Sequence, residues 1–325
     1  MNRATRVRAR FLRALVSFAV GLAIATPASA SLFSNVYVFG DSLLDTGNVY
    51  TATLSTTPTP PSPPYFNGRW SNGPLAVDIF AAAYGVKPLL PSLLGGTNFA
   101  WGGARATSTA ASNVPDVPDQ VGQFIGLLGG SPADPNAVYV LDGGGNDIIP
   151  ALQSATPGLV LQAALQGIQD SIAALLNAGA RNILVYNVPD VGATPVLQGF
   201  GAAAQVGATF LTMQFNQGLA AIEMGFDAMG SGVNVDIVDL FALNTAALAN
   251  PGAYGFTNVT DPCLQNNGTV CSNPNEYFYW DGFHPTAATG RLLAGAMFAA
   301  VPEPGSLVLV ALALVAFALS RRRAR

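Results

Sequence analysis

Short apolar runs that alternate with long helical stretches are the feature that most constrains how this chain can fold. Each run is rich in aliphatic and aromatic residues, as in strands that are buried on both faces. The runs are Val36–Phe39, Val138–Leu141, Ile183–Tyr186 and Val235–Val238. The helical stretches lie near Leu159–Leu176, Ala202–Met229 and Ala287–Ala300. Strands separated by helices predict an α/β fold, a three-layer α/β/α sandwich around a mostly parallel sheet.

The amino-terminal residues 1–30 have the pattern of an export signal. Five arginines lie between positions 3 and 13, an apolar stretch follows from Leu15 to Ala25, and Pro27-Ala28-Ser29-Ala30 closes the segment. A basic region, an apolar region and an Ala-x-Ala site are typical of a signal peptide that is removed after export. An uncleaved anchor is the alternative, although the apolar stretch is short for a membrane span. We expect cleavage after Ala30.

Residues 301–325 form a second distinct flank. Pro302-Glu303-Pro304 is followed by an apolar run to Leu319 and a tail with four arginines. The run is short for a bilayer, and the arginines favour the cytoplasmic side. These features resemble the PEP-CTERM sorting signal; a plain tail anchor is the alternative. The resemblance implies a Gram-negative bacterium, an exosortase-type sorting protease as a partner, and transient anchoring at the inner membrane before the protein reaches the periplasm, surface or medium.

The body between the flanks, residues 31–300, has a size that suits one domain. Nine of the 14 basic residues and one of the 18 acidic residues lie in the flanks, which leaves the body with 5 basic and 17 acidic side chains. Such a body repels nucleic-acid phosphates and anionic membrane surfaces. We therefore expect no nucleic-acid partner.

The single histidine, His284, constrains the chemistry. It is the only side chain in this sequence that ordinarily titrates near neutrality, and Asp281 precedes it by three residues. In a turn, that carboxylate can hold one ring nitrogen and leave the other free to take a proton from a nucleophile. The alternative is a histidine packed near a helix cap.

The candidate nucleophile is Ser42, which follows the first buried run in the turn Gly40-Asp41-Ser42. A serine at the carboxyl end of a parallel strand faces the crevice in which such sheets bind ligands. A simple helix N-cap is the alternative. Two glycine turns supply candidate donors for an oxyanion hole: a backbone N–H from Gly103, with Gly102 as the competing choice, and the side-chain amide of Asn146.

Four segments in this order resemble the SGNH/GDSL hydrolase family, in its lipase and esterase branch. The segments are Phe39–Asn48, Asn98–Ala104, Gly144–Asp147 and Asp281–Pro285, and Gly68–Gly73 and Asn187–Pro195 are similar to further stretches of lipase-like members. The resemblance implies Ser42 as nucleophile, His284 as base and Asp281 as its partner. The oxyanion hole would use the backbone N–H groups of Ser42 and Gly103 with the amide of Asn146. No cofactor is implied.

Cys263 and Cys271 are the only cysteines. Because an exported chain meets an oxidising compartment, we predict that they form a disulfide. One histidine and two cysteines make no convincing metal site, and Asp236 and Asp239 lack the calcium-loop pattern. We therefore expect no metal.

Together these features predict a secreted or surface-sorted serine esterase or lipase that works through an acyl-enzyme and can also transfer the acyl group to an alcohol. Its substrate would be a lipid, a short-chain ester or an acetylated glycan. Deacetylation of an exopolysaccharide is one alternative. A non-catalytic surface or biofilm protein on the same fold is another, which the complete set of four segments disfavours.

Overall fold

A computed structural model describes residues 33–109, 112–230 and 232–301. Its centre is a parallel sheet whose four strands lie side by side in chain order. The strands are β1 (Val36–Phe39), β2 (Val138–Leu141), β3 (Asn182–Tyr186) and β4 (Asn234–Val238). All four lie where the apolar runs predicted them. The export signal and the sorting tail fall outside the described residues.

Nine helices flank the strands within the described ranges, together with short 3-10 turns. They are α1 (Asn48–Thr53), α2 (Ala76–Ala83), α3 (Val117–Leu127), α4 (Gly145–Gln153), α5 (Pro157–Ala178), α6 (Pro195–Gly199), α7 (Ala202–Asp227), α8 (Leu240–Ala249) and α9 (Ala287–Ala300). The three predicted helices correspond to α5, α7 and α9. By length and composition α5 could cross a membrane, but its buried residues belong to the core of the domain.

The two faces of the sheet carry separate cores, because alternate side chains of a strand point to opposite faces. Phe39, Leu141 and Val185 pack with residues of α3, α5 and α7. Their neighbours Val38 and Val140 pack on the other face with residues of α2 and α9. Helices therefore cover both faces, and the predicted three-layer α/β/α sandwich is confirmed.

The carboxyl ends of the strands meet at one edge, and a further segment joins them there. Residues 97–101 run along the free side of β1: the N–H of Phe99 donates to Val38 O (2.7 Å) and that of Trp101 to Gly40 O (3.0 Å). The glycine pair that follows, Gly102 and Gly103, is thereby brought to the turn after β1. Open parallel sheets bind ligands at this edge.

A small second sheet carries the histidine-bearing loop. It pairs β5 (Asn258–Pro262) with β6 (Tyr277–Tyr279), and Cys263, directly after β5, is bonded to Cys271, as the sequence predicted. The N–H of Cys263 donates to Tyr279 O (3.1 Å). The disulfide-closed loop therefore lies directly beside the chain that leads into Asp281.

Candidate active site

Ser42 lies in a tight turn at the end of β1. The carboxylate of Asp41 accepts the N–H of Leu43 (2.9 Å), which closes the turn. Asp45 supplies the side-chain acceptor at the start of α1: its carboxylate accepts hydrogen bonds from the N–H groups of Gly47 and Asn48 (2.8 and 2.6 Å). Ser42 does not cap a helix, so the N-cap alternative is wrong and the Ser42 hydroxyl is free to face the crevice.

A chain of hydrogen bonds joins Ser42, His284 and Asp281. Ser42 Oγ lies 2.8 Å from His284 Nε2, and His284 Nδ1 lies 2.7 Å from Asp281 Oδ2. Asp281 Oδ1 accepts the backbone N–H groups of Phe283 and His284, both at 2.8 Å. Because an ionised carboxylate can only accept, Nδ1 carries the proton of the neutral ring. Nε2 then faces the Ser42 hydroxyl as an acceptor.

The environment of Asp281 keeps it ionised. Burial by itself raises the pKa of this carboxyl group, but the charge of His284 and the hydrogen bonds from its ring and from two backbone N–H groups outweigh burial. The net effect lowers the pKa of Asp281 to about 2. A fixed negative charge therefore lies behind His284 throughout the range in which the ring can change protonation.

The two glycines of the neighbouring turn differ in what they contact. The N–H of Gly102 donates to Asp45 Oδ2 (3.0 Å), and a Cβ at this position would collide with the indole of Trp70. Gly103 borders the same cavity as Ser42, and its N–H has no acceptor within the part of the chain that the structure describes. Of the two, Gly103 has the geometry of a free donor.

Asn146 reaches the cavity from the first turn of α4. The turn before it needs glycine, because Gly144 has φ of 105° and a side chain there would collide with the ring of Phe215. Asn146 Nδ2 donates to Ala104 O at 2.9 Å and to Asp41 Oδ2 at 3.2 Å. The bond to Asp41 is the longer of the two and therefore the weaker one.

Asp41 and Asp142 form a buried carboxyl pair beneath Ser42. Burial raises the pKa of both groups. The neighbouring carboxylate of Asp41 raises the pKa of Asp142 further. Because two adjacent buried carboxyl groups do not both ionise, we infer that Asp142 holds the proton and can donate it to Asp41.

A cavity of about 310 Å³ borders Ser42 and His284. The segment after β3 contributes more lining residues than any other, and α8, β6 and α9 add to the wall. The apolar lining includes Val188, Val191, Leu240, Phe278, Phe283 and Leu293. Such a space suits the apolar part of a small molecule. Within the described residues, no cluster of three or more His, Cys, Asp or Glu side chains is arranged to hold a metal ion.

The structure adds three residues that the sequence did not single out. Tyr65 donates to Asp281 Oδ2 (2.7 Å), and the ring of Trp70 packs on His284 with 5.1 Å between centroids. Asp142 completes the buried pair described above. The position of Asp142, an acidic residue directly after a fully apolar strand, was a signal that could have identified it. Trp70 lies in Gly68–Gly73, whose only signal is its similarity to lipase-like members. Nothing local distinguishes Tyr65.

A serine, an imidazole and a carboxylate in line at the carboxyl edge of a parallel sheet define a class of α/β hydrolases. Residues 36–297 match the family of GDSL-like lipases and acylhydrolases, and residues 300–323 match the PEP-CTERM protein-sorting motif. The chain therefore belongs to the GDSL-like lipase/acylhydrolase family, a class of carboxylic ester hydrolases, and both predicted resemblances are confirmed. The sorting motif implies export through a sorting system of Gram-negative bacteria.

The chain is also similar in sequence to individual proteins, one of which is named as a GDSL esterase/lipase. The chain is 29% identical to the GDSL esterase/lipase At1g73610 of Arabidopsis thaliana, over 81% of this chain and 88% of that one. It is 30% identical to a Pseudomonas putida protein encoded in the trpE-trpG intergenic region, over 93% of this chain but only 53% of the length of that relative. A crystal structure of a lipolytic G-D-S-L family protein from Veillonella parvula is similar at a TM-score of 0.45 and 13% identity, over 81% and 96% of the two chains.

Proposed function

We propose that this protein is a serine esterase or lipase that cleaves carboxylic esters through an acyl-enzyme. The observation that carries the proposal is the unbroken chain from Ser42 Oγ through both ring nitrogens of His284 to Asp281, with distances of 2.8 and 2.7 Å. A hydroxyl is a weak nucleophile until a base takes its proton, and this chain supplies the base and orients it.

In the first half-reaction, Ser42 Oγ attacks the ester carbonyl while His284 Nε2 accepts the hydroxyl proton. Asp281 holds the ring in the required tautomer and stabilises the imidazolium that forms. The negative oxygen of the tetrahedral intermediate accepts hydrogen bonds from the backbone N–H groups of Ser42 and Gly103 and from Asn146 Nδ2. His284 then returns the proton to the departing alcohol, which leaves an ester between Ser42 and the acyl group.

In the second half-reaction, water takes the place of the alcohol, and His284 activates it in the same way. An added alcohol competes with water for the acyl group, so acyl transfer uses the same residues. The ratio of free acid to new ester in the presence of a primary alcohol measures how the acyl-enzyme is shared between the two acceptors.

The cavity supports an acyl group longer than acetyl. Its wall beside Ser42 is mostly apolar and includes Val188, Leu240 and Leu293, whose burial by an acyl chain is favourable. We therefore expect butyrate to octanoate esters to react faster than acetate esters. A preference for acetate, together with release of acetate from an acetylated polysaccharide, would instead favour the exopolysaccharide deacetylase.

The decisive test is Ser42→Ala. The variant should keep its circular dichroism spectrum and lose several powers of ten in ester hydrolysis, because no attacking oxygen is left. Asp41 and Asn146 remain in place, so binding of a non-reactive ester analogue should persist. Near-normal turnover by folded Ser42→Ala protein would rule out the proposed mechanism. A folded wild-type protein that hydrolyses no ester would instead support the non-catalytic surface protein.

For the life cycle of the chain, we propose export, cleavage after Ala30, a stay at the inner membrane on the 301–325 segment, and release by an exosortase-type protease. The match of residues 300–323 to the sorting motif supports this order. The intact mass of protein isolated from the native host should correspond to a start at Ser31 and an end close to Pro304. A surface form that still carries the arginine tail would contradict the sorting step.

A further inference from the structure

A segment far from the catalytic loop in sequence lies against it in the fold. Residues 65–72, which we call the buttress, meet the loop of residues 281–287 in register, so that later residues of one contact later residues of the other. The pairs are Tyr65 Oη to Asp281 Oδ2 (2.7 Å), the Trp70 ring on the His284 ring (5.1 Å), Ser71 Oγ to Pro285 O (2.8 Å) and Ala287 N to Asn72 Oδ1 (2.8 Å).

The buttress is itself held in place. Arg69 donates from Nε and Nη2 to the two carboxylate oxygens of Asp78 at 3.1 and 2.8 Å, which ties the segment to α2. Within the segment, the N–H of Phe66 donates to Ser71 O (2.8 Å). A segment restrained by these contacts can hold a hydroxyl at a constant position, which a free loop could not do.

Tyr65 is the member of the buttress that touches the acid of the catalytic chain. Its hydroxyl donates to Asp281 Oδ2, the same oxygen that accepts from His284 Nδ1 at 2.7 Å. Burial, and then the negative charge of Asp281, raise the pKa of Tyr65 well above its ordinary value. The hydroxyl therefore stays protonated and remains a donor wherever the enzyme is folded.

We propose that Tyr65 is a positioning residue for the ester hydrolase: its hydroxyl shares the charge of Asp281 and thereby sets how Asp281 holds the imidazolium of His284. The inference rests on the proposed function, because it assigns a partner to the catalytic acid. Without the hydroxyl, Asp281 keeps its full charge for His284 and loses one of the bonds that fix its orientation.

The pH dependence of activity reports this coupling. A carboxylate that has lost a donor attracts the imidazolium more strongly, so the ring gives up its proton at higher pH and the acid limb of kcat/KM moves upward. The other titratable groups near His284 are Asp41, whose charge acts on the ring, and Asp142 behind it. Both are untouched by a change at Tyr65.

The test compares wild type with Tyr65→Phe in the full chain, with p-nitrophenyl butyrate as substrate between pH 5 and 9. Phenylalanine keeps the ring contacts with Trp70 and Trp280, whose centroids lie 6.2 and 6.1 Å away. The acid limb should shift upward by about 0.5 pH unit. At the plateau, kcat should fall by about threefold to tenfold with KM nearly unchanged, because the loss concerns orientation of the catalytic groups.

Tyr139→Phe is the matched control, because the Tyr139 hydroxyl donates to a backbone carbonyl, Asp134 O, at 2.9 Å and at the opposite edge of the sheet. It should lower the melting temperature without moving the pH profile. With only one histidine in the chain, the proton on His284 Nδ1 gives one low-field NMR signal to follow. That signal should shift in Tyr65→Phe and stay in place in Tyr139→Phe.

A double-mutant cycle with Asp281→Asn separates action through Asp281 from any other action. If Tyr65 acts through Asp281, Tyr65→Phe should change kcat less than about twofold in the Asp281→Asn background. Full multiplicative loss there, or a wild-type pH profile and NMR signal in Tyr65→Phe, would overturn the inference. If Ser42→Ala is inactive when this happens, only the role of Tyr65 is wrong; an active Ser42→Ala would instead overturn the proposed function itself.

Discussion

Two sets of carboxyl groups flank Ser42, and their pKa values are shifted in opposite directions. On the histidine side, Asp281 has its pKa lowered to about 2. On the strand side, the pKa values of Asp41 and Asp142 are raised. Both sides are largely closed to solvent: Asp41 and Asp142 are 4% and 2% exposed, and the Asp281 side chain is 15% exposed.

The difference shows that the partners of a carboxyl group decide its protonation more than its burial does. Burial acts in the same direction on all three groups. At Asp281 an imidazole and two backbone N–H donors outweigh the effect of burial, whereas at Asp142 the neighbouring carboxyl group of Asp41 adds to it. One side therefore keeps a charge behind the proposed base, His284, and the other keeps a proton near the proposed oxyanion donor, Asn146.

The charged side gives the largest expected effect. Asp281→Asn keeps the shape but removes the charge, and the amide can present an N–H to His284 Nδ1, which favours the wrong tautomer. We expect kcat to fall by about 10⁴-fold, measured with a p-nitrophenyl ester at the pH optimum of wild type.

Asp261→Asn is the control for that variant, because Asp261 is an exposed carboxylate of β5. It should leave kcat within about twofold of wild type. An Asp281→Asn enzyme that keeps more than a tenth of wild-type kcat would contradict the distinction between the two sides.

Asn146, the proposed oxyanion donor, gives the next largest effect. Asn146→Ala should lower kcat by about 10²–10³-fold with little change in KM, because the lost bond is made mainly in the transition state. Steady-state kinetics on a butyrate ester separates the two constants. A variant that loses only affinity would place Asn146 in substrate binding and would leave the protonated pair without a link to catalysis.

Much of this architecture could be predicted from local sequence. The four strands follow from short runs whose length and composition are typical of buried strands, and Ser42, Asn146 and His284 stand in short segments that combine a strand end with a glycine turn. These signals can be read without knowledge of the tertiary fold. In a parallel sheet the carboxyl ends of the strands lie at the same edge, whatever the order of the strands.

The contacts that tune the site could not be predicted in this way. Tyr65 reaches Asp281 because residues 65–72 pack on the loop of residues 281–287, which is far away in sequence. No local sequence pattern predicts that contact. Choosing Gly102 or Gly103 as the candidate oxyanion donor required knowing which N–H group is already used. The N–H of Gly102 donates to Asp45, whereas Gly103 borders the cavity. The protonation of Asp142 depends on its distance from Asp41, which the pairing of β1 with β2 sets.

Asp142 tests whether the protonated side depends on a hydrogen-bond donor. In Asp142→Ala the buried Asp41 loses its proton donor, and its carboxyl group should rely more on the N–H of Asn146. We expect kcat to fall about tenfold and stability by about 1–3 kcal/mol. Asp142→Asn supplies an N–H donor of the same shape and should retain most of both, as measured by ester hydrolysis and urea unfolding. Equal losses in the two variants would contradict a donor role for Asp142.

Asp147, in the first turn of α4, is expected to affect the stability of the protein and its pH dependence. Burial, only partly offset by the N–H of Ala106, raises its pKa from 3.8 to about 6. Between these values the native protein keeps a proton that the unfolded chain has released. The free energy of unfolding that this group contributes therefore falls as the pH rises through the window, by about 3 kcal/mol in total.

Asp147→Asn removes this titration while keeping an oxygen that can accept from Ala106. Relative to wild type, the variant should therefore gain stability progressively between pH 4 and 6, and the difference should be constant above pH 7, where wild-type Asp147 is ionised in both states. Urea unfolding at a series of pH values measures the difference, and Asp170→Asn on the exposed face of α5 should show no such trend. If the stability difference between Asp147→Asn and wild type does not change with pH, Asp147 is already ionised in the native protein at pH 4. The strand side would then keep protons only where two carboxyl groups meet, at Asp41 and Asp142, and burial alone would not suffice.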